Sequence, residues 1–202
     1  RSAVLGSSPP LEDCFSPERV PDDDVLAREH GEHAHNLAAA GVDAILVETM
    51  NTVREAAAAA RAARTAGLPV LVSFTCWRGA RLLSGEPLDT AIEAVRDSDP
   101  IAVLVNCLPP ANLGACLPAL AGSRLPFGVY PNLGAPVDRP DDAAVAARTD
   151  DHTPAELAGR AREWLAAGAR IVGGCCGTTP DHVAALTQLE RSGPDTSRKN
   201  SD

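Results

Sequence analysis

The stretch "DAILVETMNTVREAAAAARAARTAGLPVLVSFT", residues 43–75, reads as two buried strands joined by a helix. "DAILVET" (43–49) and "PVLVSFT" (69–75) are nearly continuous apolar runs that end in small or polar residues. Continuous rather than alternating apolar character suits parallel strands covered on both faces. Between them, "TVRE" (52–55) reads as a capping box of Thr52 with Glu55. Gly67 ends the Ala-rich helix that follows. Together these pieces make one βαβ unit.

The same alternation extends in both directions. "AVLGSS" (3–8), "IAVLVNC" (101–107), "PFGVYPN" (126–132) and "ARIVGGCC" (169–176) are further strand-like runs. "DDD" (22–24) opens a helix by placing negative charge at its N-terminus, and Gly41 closes it. "TPAE" (153–156) is a second capping box with Pro154 at the first helical position, ending near Gly168. "TPDH" (179–182) starts a last helix with Thr179 as its cap, and weaker helical stretches fall at 87–97 and 111–121. Six such units make an α/β fold with a parallel sheet. Periodicity leaves two architectures level: a doubly wound open sheet and a (β/α)8 barrel of which six units are present. "GSSPPLED" lacks the G-x-G-x-x-G spacing that often marks the doubly wound sheet.

Composition narrows the function classes. The chain has 202 residues and a net charge of −9, which disfavours a nucleic-acid partner. No apolar run approaches the ~20 residues of a membrane span, and no signal-peptide pattern opens the chain. Six cysteines in a long chain with ample core residues point to metal-binding or catalytic thiols rather than a disulfide framework. A reducing, cytoplasmic compartment is the expectation. The segment 131–152 is long for a βα loop and has the length of a lid or binding loop.

In parallel α/β folds, functional groups gather at the carboxyl ends of the strands. Those ends carry Glu48, Thr49, Ser73, Thr75, Asn106, Cys107, Tyr130, Asn132, Cys175 and Cys176. Cys107 lies two strands before the Cys175–Cys176 pair, near enough in strand order to share a rim with it. Three thiolates there would suit zinc, with a fourth position open as in catalytic sites. Glycines 173, 174 and 177 would let the backbone aim neighbouring thiols at one ion. The plainer reading of Cys107 is a small buried residue, and of Glu48 a capping or salt-bridged carboxylate. "REHGEHAH" puts His30 and His33 on one helix face, with His35 close by. That segment is polar and away from the strand ends, so it reads as a solvated face.

With these residues in view, the chain resembles the homocysteine S-methyltransferase family, zinc-dependent (β/α)8 TIM barrels that methylate the homocysteine thiol to give methionine. The likeness rests on "LAAAGVDAILVET", "SFT" followed by "LLSGEPL", "VNCLPP", "VYPNLG" and "GARIVGGCCGTTPDH". It implies that Cys107, Cys175 and Cys176 are the zinc ligands. It implies that Glu48 binds the homocysteine amino group, with Thr49 beside it as a substrate contact and Asn132 next to the zinc. The six strands then correspond to the third to eighth of the barrel, with the first two missing and no counterpart of the family's first-strand "DG…GT" motif. The barrel domain is expected over 1–192 and a polar, disordered tail over 193–202. Ser8, Pro9 and Pro10 follow "GS" where the family often has Gly-Pro-Tyr, and Ala135 replaces a carboxylate. The methyl donor stays open among S-methylmethionine, S-adenosylmethionine and a betaine. Three other readings stand beside the enzyme. One is the homocysteine module of a cobalamin-dependent methionine synthase. Another is an inactive zinc-binding or assembly module, whose unpaired strand edges would favour a homo-oligomer. The third is a redox protein using Cys175 and Cys176.

Overall fold

The computed structural model describes residues 2–134 and 152–191. The expected tail at 193–202, Ala135 and most of the 131–152 segment lie outside the described residues. Six strands are present: β1 (Leu5–Ser8), β2 (Ala44–Met50), β3 (Val70–Phe74), β4 (Ala102–Asn106), β5 (Phe127–Tyr130) and β6 (Ile171–Val172). They form one parallel sheet in the order β1-β2-β3-β4-β5-β6. A doubly wound sheet reverses its strand order at a switch point. Here each strand lies beside its sequence neighbour, so the barrel reading holds and the open-sheet reading fails.

Right-handed crossovers that always advance in one direction put every helix on the same face. The helices are α1 (Asp23–Ala39), α2 (Val53–Thr65), α3 (Leu88–Ala94), α4 (Leu117–Gly122), α5 (Pro154–Ala166) and α6 (Pro180–Arg191). The core divides accordingly. Val47, Met50, Val72, Phe74, Val103, Val105 and Val129 pack against helix residues such as Ala56, Ala60, Leu120 and Trp164. The opposite face is a separate cluster built from strand residues alone: Ala44, Leu71, Ala102 and Leu104, with Leu46, Tyr130 and Ile171 against it. This second cluster is the barrel's inner face. It narrows at β5, where a Cβ on Gly128 would lie 2.6 Å from Ile171 Cβ. Among the described residues, β1 and β6 each pair on one side only.

The helix signals fare differently from one another. Thr153 and Glu156 form the complete capping box expected for α5. At α2, Thr52 accepts from Glu55 N, but the Glu55 carboxylate turns away to Leu11 N at 2.8 Å and to His30 Nε2 at 3.3 Å. The expected helix at 87–97 becomes α3 followed by a 3-10 turn at Arg96–Ser98. That at 111–121 becomes a 3-10 turn, Pro110–Ala115, followed by α4.

The histidine segment departs from expectation. His30 is 1% exposed and Glu55 is 0% exposed. His33 Nε2 contacts the Ser7 carbonyl at 2.8 Å, and only His35 of the three is exposed. The solvated-face reading is therefore wrong for His30. α1 rotates that residue onto α2, where an equally buried carboxylate meets it, a long-range pairing that local polarity does not reveal.

Candidate metal centre

Strand alternation places Leu46, Leu71, Ala102, Leu104 and Tyr130 on the inner face. Continuing that alternation to the carboxyl ends brings Ser7, Glu48, Ser73 and Asn106 to the inner rim. β2 breaks the pattern. Its register with β3 shifts between Val47 and Met50, and Met50 rejoins the helix-facing core. One extra residue, Thr49, is accommodated there with φ of 62°. A β-branched residue in the left-handed region is a strained outlier costing on the order of 1–3 kcal/mol. Asn106 compensates: its Oδ1 accepts from Thr49 N at 3.1 Å, and its Nδ2 donates to Thr49 Oγ1 at 2.8 Å.

The rim is one connected polar network. Ser7 Oγ donates to Glu48 Oε1 at 2.6 Å, and Tyr130 Oη donates to Glu48 Oε2 at 3.0 Å. Ser73 Oγ donates to Asn106 Oδ1 at 2.7 Å. Hydroxyls therefore hold both oxygens of Glu48, instead of the capping or salt-bridged role open to it in sequence. Burial, and then the Glu48 charge, push the Tyr130 hydroxyl well above its ordinary value.

Cys107, Cys175 and Cys176 converge beside this network. Their sulfurs lie within 4.8 Å of one another, and Cys175 Sγ is 3.9 Å from Cys176 Sγ. All six cysteines are free thiols. Two sulfurs on a tetrahedral ion with bonds of about 2.3 Å stand roughly 3.8 Å apart, so the spacing fits one shared cation. The donor chemistry fits as well, since clustered thiolates suit a borderline-soft ion such as zinc.

Backbone geometry produces the convergence. Cys107 has φ of 59°, which turns it out of the β4 alternation. Cys175 N donates to Pro131 O at 2.9 Å, and Leu133 N donates to Cys176 O at 2.7 Å. These bonds tie the cysteine loop to the end of β5. Gly177 has φ of +76°, and a Cβ there would lie 2.7 Å from Gly134 N. Gly173 and Gly174 keep ordinary φ; a Cβ on Gly174 would meet Thr178. Of the three glycines, only Gly177 supplies the left-handed turn.

The thiols titrate as a set. Hydrogen bonds from Cys107 and then Cys175 bring the Cys176 thiol down to about 3. The Cys107 thiol is pushed up by its hydrogen bonds to Cys175 and Cys176 and by burial. The Cys107 hydrogen bond favours the Cys175 thiolate, yet Cys175 is raised to about 11 by its bond to Cys176 and by burial. Within the set, the hydrogen bonds from its two neighbours favour the Cys176 thiolate most.

Each expected residue is at or next to the rim. Asn132 is 6% exposed, and its Oδ1 accepts from Gly134 N at 2.7 Å. Ser7 was missed in sequence, although the end of "AVLGSS" marks a strand terminus like the others. Cys14 was missed too; its thiol rises to about 11 through burial and Asp13, with Cys176 and Cys175 adding to the rise. No local signal links Cys14 to the later cysteines.

Comparison with known proteins adds a second line of observation. The family model described as Homocysteine S-methyltransferase matches residues 1–189. The chain is 36% identical over 175 residues to Homocysteine S-methyltransferase 4 of Zea mays, covering 82% of this chain and 49% of that protein. It is 35% identical to the Methionine synthase of Mycobacterium leprae, covering 79% of this chain and 14% of that protein. Among solved structures, the metallated form of the homocysteine methyltransferase MmuM from Escherichia coli superposes with a TM-score of 0.76 at 28% identity. That match covers 93% of this chain and 61% of the other. The chain thus spans about half the length of the maize methyltransferase it matches.

Proposed function

Because the chain belongs to the homocysteine S-methyltransferase family, we propose that it carries the thiol-activating site for methyl transfer to homocysteine, giving methionine. The observation that supports this most is the convergence of three sulfurs within 4.8 Å beside the Glu48 network. Cys107, Cys175 and Cys176 would hold zinc. Bound there, zinc supplies Lewis-acid activation that keeps the substrate thiol as thiolate at neutral pH.

The remaining chemistry belongs to the chain's own residues. Glu48 offers its free lone pairs to the homocysteine α-ammonium, while Ser7 and Tyr130 hold its carboxylate in one orientation. Thr49 and Asn132 would supply the further contacts to the amino acid. The donor is an onium compound, S-methylmethionine or S-adenosylmethionine, which already carries a good leaving group. The protein then mainly aligns the partners and excludes water. Free thiols throughout the chain suit a reducing, cytoplasmic setting.

The test is metal analysis of purified protein, followed by an assay of methyl transfer from S-methylmethionine to homocysteine. One zinc per chain, lost in Cys176→Ala, is the expected result. Full zinc retention by Cys176→Ala overturns the ligand assignment, and zinc-loaded protein that does not bind homocysteine overturns the substrate.

A further inference from the structure

Glu48 and the thiol cluster lie on different strands, and one side chain joins them. Asn106 is the last residue of β4 and directly precedes Cys107. It is 0% exposed. Its amide makes three hydrogen bonds: from Thr49 N at 3.1 Å, to Thr49 Oγ1 at 2.8 Å and from Ser73 Oγ at 2.7 Å. An amide oxygen that accepts twice and a nitrogen that donates once leave this side chain little freedom.

What the amide holds matters more than how firmly it is held. Thr49 at φ of 62° is the extra residue of the β2 irregularity. Without that irregularity, alternation would send Met50 to the inner face instead of the helix-facing core it occupies. Glu48 is the residue immediately before the break, so its aim depends on Thr49 keeping its left-handed backbone. On the other side, Cys107 at φ of 59° turns directly off the Asn106 backbone. Asn106 is therefore hydrogen-bonded to one of the site's two left-handed non-glycine residues and adjacent in the chain to the other.

We propose that Asn106 is a positioning residue that couples the two halves of the site, clamping the Glu48–Thr49 irregularity on one side and fixing the departure of Cys107 on the other. The substrate half of this statement rests on the homocysteine reading above, and the metal half on the thiol cluster as the zinc site. Asn106 reaches the ligand Cys107 through their shared peptide bond rather than through its amide, so the expected loss of metal affinity sits at the lower end of the about 10- to 100-fold typical of groups that orient a ligand. Misdirecting Glu48 has a comparable effect on amino-acid binding.

The test uses zinc-loaded protein and two independent titrations: zinc competition against a chromogenic chelator, and calorimetric binding of L-homocysteine. In Asn106→Ala, both affinities are expected to fall by about tenfold or more. In a Thr49→Gly background, Asn106→Ala should cost little further homocysteine affinity, because glycine adopts positive φ without a clamp. The loss of zinc affinity should be the same in both backgrounds. A purely structural role for Asn106 predicts an equal loss of homocysteine affinity in both backgrounds. Wild-type affinities in Asn106→Ala, or as large a loss of homocysteine affinity in the Thr49→Gly background as without it, overturn the proposal. If the wild type binds no homocysteine, the methyltransferase reading fails, and the chelator titration alone decides the clamp: unchanged zinc affinity in Asn106→Ala overturns it.

Discussion

Tyr130 Oη donates to Glu48 Oε2 at 3.0 Å, joining the end of β5 to the end of β2 across the barrel's inner face. The same ring packs against the inner apolar cluster. It also lies close enough to Cys175 that a charge on that sulfur would raise the Tyr130 hydroxyl further. Tyr130 therefore stands between the carboxylate and the thiols, touching the former and sensing the latter.

Tyr130→Phe keeps the ring and removes the donor. A hydrogen bond to a charged group is worth about 1.5–3 kcal/mol. Homocysteine affinity should fall by about tenfold, at the lower end of that range, while zinc content stays at the wild-type level. Calorimetry and metal analysis on the same sample check this; loss of zinc would place Tyr130 in the metal site instead.

In metal-free protein, iodoacetamide should modify Cys176 before any other cysteine. Its thiol is lowered to about 3, so it is already thiolate at neutral pH and stays so as pH rises. The alkylation rate at Cys176 should be nearly flat between about pH 6 and pH 9, whereas an ordinary thiol slows about tenfold per unit below ~8.5. Peptide mass mapping after brief labelling reads this out, and zinc loading should protect the site.

Gly177→Ala strains the cysteine loop in two ways. The residue has φ of +76°, and the new Cβ would lie 2.7 Å from backbone atoms of Leu133 and Gly134. The strain alone costs on the order of 1–3 kcal/mol. Urea unfolding should show at least that loss, and chelator competition should show weaker zinc binding, because the loop carries Cys175 and Cys176 together.

Glu55→Ala removes the partner of His30 Nε2 and of Leu11 N. Leaving buried polar groups unpaired, with a small cavity, should cost about 2–4 kcal/mol. Thermal or urea unfolding measures it, and zinc affinity should not change.

Much of the architecture was legible because its signals are local. Nearly unbroken apolar runs marked buried parallel strands, and Thr153 with Glu156 marked the start of α5. The strand-end rule picked out Glu48, Asn106, Cys107, Tyr130 and the adjacent cysteines. It did not reveal that Thr49 interrupts β2, since a left-handed threonine carries no mark in sequence and exists here through a partner 57 positions away. Nor did it reveal the burial of His30. A polar helix segment looks solvated until a second helix lays a carboxylate against it.

By itself, the sequence determined the alternation of strand and helix, the parallel sheet and the residue types offered at the rim. These follow from periodicity, caps and turns, each written within a few neighbouring residues. Only the tertiary structure decided that the strands lie in sequential order, which makes a barrel wall rather than a doubly wound sheet. Only it brought Cys107 to Cys175 and Cys176, and the Glu48 carboxylate to Ser7 and Tyr130. Strand neighbours, register breaks and shared rims arise from packing between distant segments, and no local pattern encodes which distant segments will meet.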